Sequence, residues 1–366
     1  MTDQTRPPDG LSTGPESPAE PESTPSSPGY PQGSESGSED VSRETDGPEV
    51  APRIRTAEDL AGFGDAIDDA TTPLARAAQH SVLARQSAQY RPQLPRPGAT
   101  RVFVVANQKG GVGKTTSTVN IGAALAQLGQ RVLVVDLDPQ GNASTALSVD
   151  HHRGVLSTYD VLVDGVPLAD AVQQCPEDEA LFVVPATIDL AGAEIELVSV
   201  VAREGRLKKA VTAEPRIGTA AEAGEDRFDY VLIDCPPSLG LLTINALVAA
   251  DEMMIPIQAE YYALEGLSQL LDTVNLVKAD LNPGLTISTI LITMYDARTR
   301  LASGVADEVR EHFGSQVLRT TIPRSVRVSE APSYGQTVMA YDPGSPGALS
   351  YLEAARELAT KGVVRP

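Results

Sequence analysis

Near-continuous runs of apolar residues recur along the chain from residue 102 onward and predict the strands of a buried sheet. The six runs are 102–106, 131–138, 180–186, 230–236, 252–257 and 287–294. Runs without polar alternation are typical of strands that are covered on both faces. Most of the segments between them have helical patterns, beginning with Thr116 to Leu128. The alternation predicts an α/β fold: a doubly wound, mostly parallel sheet with helices on both faces and ligands at the carboxyl ends of the strands.

The N-terminal part of the chain has a different composition. Residues 1–50 contain eleven acids, two bases and nine prolines, a net charge of −9. So few apolar residues cannot offset the entropy of an ordered chain, and we expect a disordered acidic tail rich in Pro, Ser and Gly over 1–55. A helical segment and a linker are predicted over 56–98. The helical segment is either a docking element or a solvated linker helix. The globular domain is predicted over 99–366, with a flexible insertion without chemistry at 212–226.

The cysteine content and the hydropathy of the chain indicate in which compartment the protein is expected. The chain has 366 residues, a net charge of −20 and two cysteines, Cys175 and Cys235. Two cysteines cannot form a disulfide scaffold and fit a reducing compartment. No apolar run is long enough to span a bilayer, and the first residues lack the features of a secretory signal. We therefore expect a cytoplasmic protein.

A glycine-rich segment lies between the first predicted strand and the first predicted helix. Residues Lys109–Thr116 read KGGVGKTT. We assign them to the phosphate-binding loops of the type G-x-x-x-x-G-K-[ST], on their glycine-rich turn and the terminal Lys114 and Thr115. In such loops backbone N–H groups surround the β-phosphate at a helix N-terminus. The lysine reaches the β- and γ-phosphates, and the threonine hydroxyl holds Mg²⁺.

Three aspartates end predicted strands at the same edge of the sheet. Asp136 and Asp138 close the second run, and alternation places their side chains on one side of that strand, beside the loop. Asp234 closes the run at 230–236 in the pattern of a carboxylate that holds Mg²⁺ through water. The alternative also stays open that one of these two aspartates only caps the following turn. Asp136 is the stronger candidate for that role. Cys235, next to Asp234, is interpreted as a small buried residue.

The segments NQKGGVGKTT and VLVVDLDPQGNAS together resemble the deviant Walker A ATPases, and specifically the ParA/Soj-type partition ATPases. The resemblance implies that the extra Lys109 crosses a dimer interface and contacts the partner's nucleotide. It also assigns Asp138 to the attacking water and Asp136 to the Mg²⁺ shell, so these three residues form the expected catalytic set. The implied ATP-binding residues of the loop are Lys109, Gly110, Gly111, Val112, Gly113, Lys114, Thr115 and Thr116. The implied Mg²⁺ site consists of Thr115, Asp136 and Asp234.

The stretch 318–338 resembles the segment of the same family that holds adenine. Pro323 and Ser325 occupy the matching nucleotide-contact positions. The family commonly has asparagine where this chain has Ser325. A contact through the backbone survives that change, whereas a contact through the side-chain amide does not.

Basic residues are concentrated near the C-terminal end of the chain. Between Arg298 and Arg327 six arginines stand against three acids. Arg298 and Arg324 match positions that bind DNA in the family. Spaced, exposed arginines suit contacts with the phosphates of double-stranded DNA without base reading. The alternative is a solvated face held by intramolecular ion pairs.

The leading hypothesis is therefore an ATP-dependent homodimer for chromosome or plasmid segregation. It would bind double-stranded DNA of the nucleoid without sequence preference, and it would not bind a membrane. A ParB-like protein would stimulate ATP hydrolysis and so release it from the DNA. A MinD-type membrane-cycling protein needs a lipid-binding C-terminal helix, for which the segment SYLEAARELATKGVVRP is a poor candidate. An iron protein needs paired cysteines at a dimer axis, whereas Cys175 is predicted in a surface loop. Positioning of protein cargo on the nucleoid would use the same chemistry.

Overall fold

The computed structural model of the chain describes residues 93–260 and 263–361, and it describes no side chains for 263–266. The predicted tail over 1–55 and the helical segment up to residue 92 lie outside the described residues.

A seven-stranded sheet in the order β3-β4-β2-β5-β1-β6-β7 forms the centre of the fold. The strands are β1 Arg101–Val105, β2 Val132–Asp136, β3 Gln173–Gln174, β4 Leu181–Val184, β5 Tyr230–Asp234, β6 Glu252–Gln258 and β7 Thr286–Thr293. The six strands expected from the apolar runs are all present and pair in parallel. The antiparallel edge strand β3 was not predicted, because two glutamines carry no apolar pattern.

Helices cover both faces of the sheet. They are α1 Lys114–Gln127, α2 Asn142–Ala146, α3 Leu168–Ala171, α4 Leu190–Glu196, α5 Arg206–Ala213, α6 Ala220–Ala223, α7 Leu241–Ala249, α8 Ala263–Asp280, α9 Arg300–Phe313, α10 Val326–Glu330, α11 Val338–Tyr341 and α12 Pro346–Thr360. Alternate residues of each central strand enter opposite cores. In β1, for example, Val102 and Val104 belong to one buried cluster, and Phe103 and Val105 belong to the other. This confirms the doubly wound architecture.

The last helix, α12, packs its apolar face into the protein. Tyr351, Leu352 and Leu358 are buried in the same core as α1. Glu357 accepts hydrogen bonds from the backbone N–H groups of Arg319 and Thr320, at 2.8 and 3.1 Å. The apolar face of this helix is therefore covered by the domain itself. No helix within the described residues is long and apolar enough to cross a membrane.

The segment 212–226 is more regular than a flexible insertion. It contains α6, which begins with a capping box in which the Glu222 carboxylate accepts the backbone N–H of Thr219 at 2.9 Å. The Gly218 carbonyl accepts the backbone N–H of Thr100, at 2.8 Å, and so ties the segment to the residue before β1. The segment is thus partly helical, and the expectation that it is flexible stays a prediction. The T-x-x-E spacing was a helix-start signal already present in the sequence.

A buried carboxylate joins the linker to the amino end of the sheet. Asp229, immediately before β5, is fully buried. It accepts hydrogen bonds from Arg96 Nε at 2.8 Å, from Arg227 Nη2 at 3.0 Å and from the backbone N–H of Arg131 at 2.9 Å. Arg96 belongs to the linker that precedes β1. Its guanidinium therefore holds the linker against the domain.

Replacing Asp229 with Ala is expected to lower the free energy of unfolding by about 3–5 kcal/mol, because Arg227 would stay buried without its carboxylate. Two other nitrogens of Arg227, Nε and Nη1, already lack a partner among the described residues. Urea unfolding followed by circular dichroism measures the loss. The matched control is Asp226→Ala, since Asp226 is exposed and lies 3.9 Å from Arg131. That variant should lose no more than about 1 kcal/mol, and equal losses in both would contradict the assignment.

Candidate functional site

The glycine-rich loop connects β1 to α1 at the carboxyl edge of the sheet. Gly111 and Gly113 have φ angles of 74° and 86°, a region that side-chain-bearing residues rarely adopt. The helix α1 begins at Lys114 and has no acidic residue in its first turn. Its first N–H groups are therefore available to an anion. The general pattern G-x-x-x-x-G-K-[ST] does not match in full, because Gln108 stands where its first glycine belongs.

Two polar side chains tie this loop to the neighbouring strands. Asn107 donates from Nδ2 to the Pro256 carbonyl of β6, at 2.8 Å, and accepts the backbone N–H of Lys109, at 3.0 Å. Thr293, the last residue of β7, donates to the Val112 carbonyl at 2.8 Å. The loop is thus held from both ends. Neither Asn107 nor Thr293 was singled out from the sequence, although Asn107 is the first polar residue after an apolar run.

Lys114 brings a buried positive charge into the site. Its side chain is only slightly exposed, and Nζ donates to the Lys109 carbonyl at 3.4 Å. Burial lowers the pKa of the Lys114 ammonium, and the nearby carboxylates Asp234 and Asp138 act in the opposite direction. A cation in such surroundings interacts strongly with any phosphate that enters.

An open cleft of about 350 Å³ lies in front of the loop. Its lining residues are Gly110, Gly111, Gly113, Lys114, Thr115, Thr116, Asp138, Gln140, Asn142, Pro237 and Met294. The structure therefore brings the loop and Asp138 together, as the sequence indicated. Gln140, Asn142 and Met294 were not predicted. Met294 follows β7 with a φ of 51°, an unusual value for a residue with a side chain and one that no sequence pattern reveals.

Asp234 ends β5 directly beneath the loop. Its Oδ1 accepts a hydrogen bond from the Thr118 hydroxyl at 3.0 Å. Its Oδ2 is buried without a hydrogen-bond partner of ordinary geometry among the described residues. Burial raises the pKa of Asp234, and the Thr115 hydroxyl is close enough to act in the opposite direction. An unpartnered carboxylate oxygen beside a threonine hydroxyl fits a hydrated Mg²⁺ ion.

Asp136 and Asp138 have different surroundings. Asp136 is fully buried, and its Oδ2 accepts from the backbone N–H and the hydroxyl of Ser144, at 2.9 and 2.7 Å. Its Oδ1 accepts the backbone N–H of Asp138 at 3.1 Å. Burial raises the pKa of Asp136. Asp138 instead faces the cleft, where its Oδ1 accepts the backbone N–H of Gln140 at 3.0 Å. Asp136 thus holds α2 and the residues that follow β2 through these hydrogen bonds, and its place in the Mg²⁺ shell stays a prediction.

Pro323 and Ser325 belong to a segment that pairs with the residues after β7. Tyr295, which follows Met294, donates its backbone N–H to the Ile322 carbonyl at 2.9 Å and accepts from the backbone N–H of Arg324 at 3.2 Å. The segment around Pro323 is therefore fastened to the end of β7. Neither Pro323 nor Ser325 lines the cleft itself. Their contact with a nucleotide base stays a prediction.

Lys109 lies at the rim of the site. Its Nζ forms an ion pair with Glu260 at 3.0 Å, and about a third of its side chain is exposed. The extra lysine is therefore accessible from outside the chain. Its contact with a second protomer stays a prediction.

The arginines between Arg298 and Arg327 are largely paired. Four of them form ion pairs: Arg298 with Asp296, Arg310 with Asp307, Arg319 with Glu357, and Arg327 with Glu330 and Asp342. Arg300 and Arg324 form no ion pair with any residue that the structure describes. Arg298 and Arg324 are both exposed. The patch thus combines free and paired arginines.

Comparison with known proteins identifies the family. The AAA domain family matches residues 100–287. The sporulation initiation inhibitor protein Soj of Bacillus subtilis is 53% identical over 262 residues, which cover 72% of this chain and 99% of Soj. The chromosome partitioning protein ParA of Caulobacter vibrioides is 48% identical over 261 residues, covering 71% of this chain and 94% of ParA. The chain belongs to the Soj/ParA family of partition ATPases. The resemblance drawn from the sequence motifs is confirmed.

Solved structures share the same fold. Cobyrinic acid a,c-diamide synthase from Mycobacterium smegmatis, with bound ADP and magnesium, is 40% identical with a TM-score of 0.58, covering 70% of this chain and 93% of that one. The septum site-determining protein MinD from Pyrococcus horikoshii, complexed with Mg-ADP, is 24% identical with a TM-score of 0.56, covering 73% and 99%. At that identity MinD supports the fold alone. The family member Soj is closer in sequence than either.

Both cysteines are buried. Cys175 follows β3, and its Sγ donates to the Leu147 carbonyl at 3.3 Å. The prediction of a surface loop is wrong there, because the Cys175 side chain is buried and its backbone N–H donates to the Leu181 carbonyl of β4, at 2.8 Å. Cys235 is buried beside Asp234, as predicted. No cluster of three or more His, Cys, Asp or Glu side chains suited to a metal occurs in the described part of the chain.

Ala substitutions at Asp136 and Asp138 should have opposite consequences. Asp136→Ala leaves the buried Ser144 without its acceptor and should lower the free energy of unfolding by at least about 2 kcal/mol. Asp138→Ala should keep normal stability and lose on the order of 10²–10⁴ in ATP hydrolysis, because an oriented water is lost. Urea unfolding and phosphate release measure the two effects. A stable Asp136→Ala protein without hydrolysis would instead place Asp136 in the catalytic chemistry.

Proposed function

We propose that this chain is a Mg²⁺-dependent ATPase of DNA segregation that dimerises with ATP and then binds DNA without sequence preference. The observation that carries the proposal is that only a few residues of chain separate the cleft from the exposed arginines. Met294 lines the cleft of the glycine-rich loop, and Arg298 lies four residues later on the surface. The high identity to Soj and ParA supports the same function.

The residues of the cleft suit hydrolysis of ATP. Lys114 and the N-terminus of α1 would neutralise the phosphates, and Thr115 and Asp234 would hold the magnesium ion. When bound, the ion supplies charge neutralisation to the transferring phosphoryl group. Asp138 would orient the attacking water from the opposite wall. Asp136 would act indirectly, through the loop between β2 and α2 that it holds.

Lys109 is the proposed dimer contact. It stands at the rim and is held by Glu260 of its own chain. A second protomer that brings a nucleotide phosphate to this rim would offer Lys109 a more strongly charged partner than a carboxylate. Dimer formation would therefore require ATP.

Lys109→Ala is expected to bind ATP as a monomer and to lose the ATP-dependent dimer, because the crossing cation is removed while Lys114 remains. Size-exclusion chromatography with light scattering, in the presence of a non-hydrolysable ATP analogue, measures the dimer. Glu260→Gln is the matched control: it frees Lys109 and should keep the dimer. Normal dimers of Lys109→Ala would refute the crossing role.

The arginine patch is the proposed DNA surface. Arg298 and Arg324 are exposed near the end of β7, where phosphates of a duplex can reach them. Such contacts carry affinity without base reading. A ParB-like partner that stimulates hydrolysis would dissolve the dimer and release the DNA, and the protein would thus cycle on the nucleoid. The buried apolar face of α12 offers no support for the alternative of a lipid-binding helix.

Charge reversal tests the DNA surface. Arg298→Glu and Arg324→Glu should weaken binding of the ATP dimer to all duplexes alike, while dimerisation is retained. The two arginines of each protomer give about four phosphate contacts, each adding about −0.9 to the slope of log K against log salt. Fluorescence anisotropy with two unrelated duplexes at several salt concentrations measures affinity and slope. Arg153→Glu, an exposed arginine outside the patch, is the control. A strong preference for one duplex, or unchanged affinity in both variants, would contradict the proposal.

A further inference from the structure

Asp296 holds Arg298 through a two-pronged contact. Its Oδ1 accepts from Arg298 Nε at 2.9 Å and its Oδ2 accepts from Nη2 at 2.9 Å. The backbone N–H of Arg298 also donates to Oδ1, at 3.1 Å. This is the fork geometry that a guanidinium offers to a phosphate. Two of the donors that a DNA phosphate would use are therefore engaged by a carboxylate of the same chain.

The second arginine of the patch also acts on Asp296. The Tyr295 carbonyl accepts the backbone N–H of Arg324, so Arg324 is fastened to the residue before Asp296. The hydrogen bonds from Arg298, followed by the charge of Arg298 and that of Arg324, lower the pKa of Asp296 to about 2. Asp296 is therefore ionised at neutral pH. One carboxylate offsets two arginines, so the local positive charge is smaller than the arginines alone would give.

The exposed fractions of the two side chains allow a DNA phosphate to replace the Asp296 carboxylate on Arg298. The Arg298 side chain is 88% exposed and the Asp296 side chain is 27% exposed. Arg298 thus lies outermost and can be reached from solvent while it contacts the acid beneath. The other paired arginines of the patch have looser contacts, at 3.5 Å for Arg310 with Asp307 and 3.2 Å for Arg327 with Glu330.

We propose that Asp296 competes with DNA phosphates for Arg298 and so keeps the DNA affinity of the dimer below the value that its arginines alone would give. This inference rests on the proposed function, since it concerns the same DNA surface. Its consequence is a weaker, more readily reversed contact with DNA. Release would then require the loss of only a few phosphate contacts.

Asp296→Asn tests the competition, because it removes the charge and keeps an oxygen that can accept the backbone N–H of Arg298. DNA affinity of the ATP-analogue dimer should rise on the order of tenfold for two unrelated duplexes, since two exposed pairs are removed per dimer. Most of the gain should disappear in Asp296→Asn/Arg298→Ala, because the guanidinium that Asp296→Asn makes available to DNA is then absent. Asp296→Ser is a second variant in case the first folds poorly.

Glu353→Gln is the matched control, because it removes the same charge from the ion pair of Arg356 and Glu353, which lies outside the patch. Its DNA affinity should stay within about twofold of the wild-type value. A gain equal to that of Asp296→Asn would overturn the inference, since it would reflect net charge alone. The salt concentration that elutes each protein from heparin gives a second readout that needs neither ATP nor DNA, and it should rise for Asp296→Asn.

The outcomes separate this inference from the proposed function. Wild-type protein that shows no ATP-dependent DNA binding would contradict the proposed function, and heparin elution would still decide whether Asp296 masks Arg298. Wild-type protein that binds DNA, with Asp296→Asn unchanged in both affinity and heparin elution, would contradict the inference alone.

Discussion

The parallel register of three neighbouring strands is the constraint on which the site depends. Val105 of β1 lies opposite Asp234 of β5, and Asp234 lies opposite Asp136 of β2. The three strands therefore end at one level, and the loop after β1 begins beside two carboxylates. Burying these acids is costly, as their raised pKa values indicate. Ser144 of α2 and Thr118 and Lys114 of α1 offset that cost, because the two helices bring them to the ends of these strands.

Much of this arrangement could be predicted from the sequence because its determinants are local. Apolar runs identify buried strands, and a glycine-rich turn before a helix identifies the loop. The role of Asp136 could not be read in this way, because it depends on Ser144, which α2 brings back beneath the strand. Cys175 and the edge strand β3 depend on a single antiparallel pairing with β4. Met294 reaches the cleft only through an unusual backbone angle, which the residue type does not reveal.

The end of β7 connects the cleft to the surface within a few residues. Thr293 holds the loop through the Val112 carbonyl, and Met294 lines the cleft. Tyr295 then fastens the backbone of Arg324, and Asp296 holds Arg298. Any displacement of this short segment at the cleft would also move the groups that carry the arginines. Contiguity of this kind provides a physical route between the cleft and the arginine patch, whose coupling energy a double-mutant cycle can measure.

The net charge of −20 is compatible with DNA binding because charges act over limited distances. At physiological salt, interactions between exposed charges fade beyond about 8 Å. Acids far from the arginine patch therefore contribute little to its potential, and the eleven acids in residues 1–50 count only where they approach it. A carboxylate in hydrogen-bond contact is not screened in this way. Asp296, at 2.9 Å from Arg298, consequently affects the patch more than a much larger charge placed elsewhere on the chain.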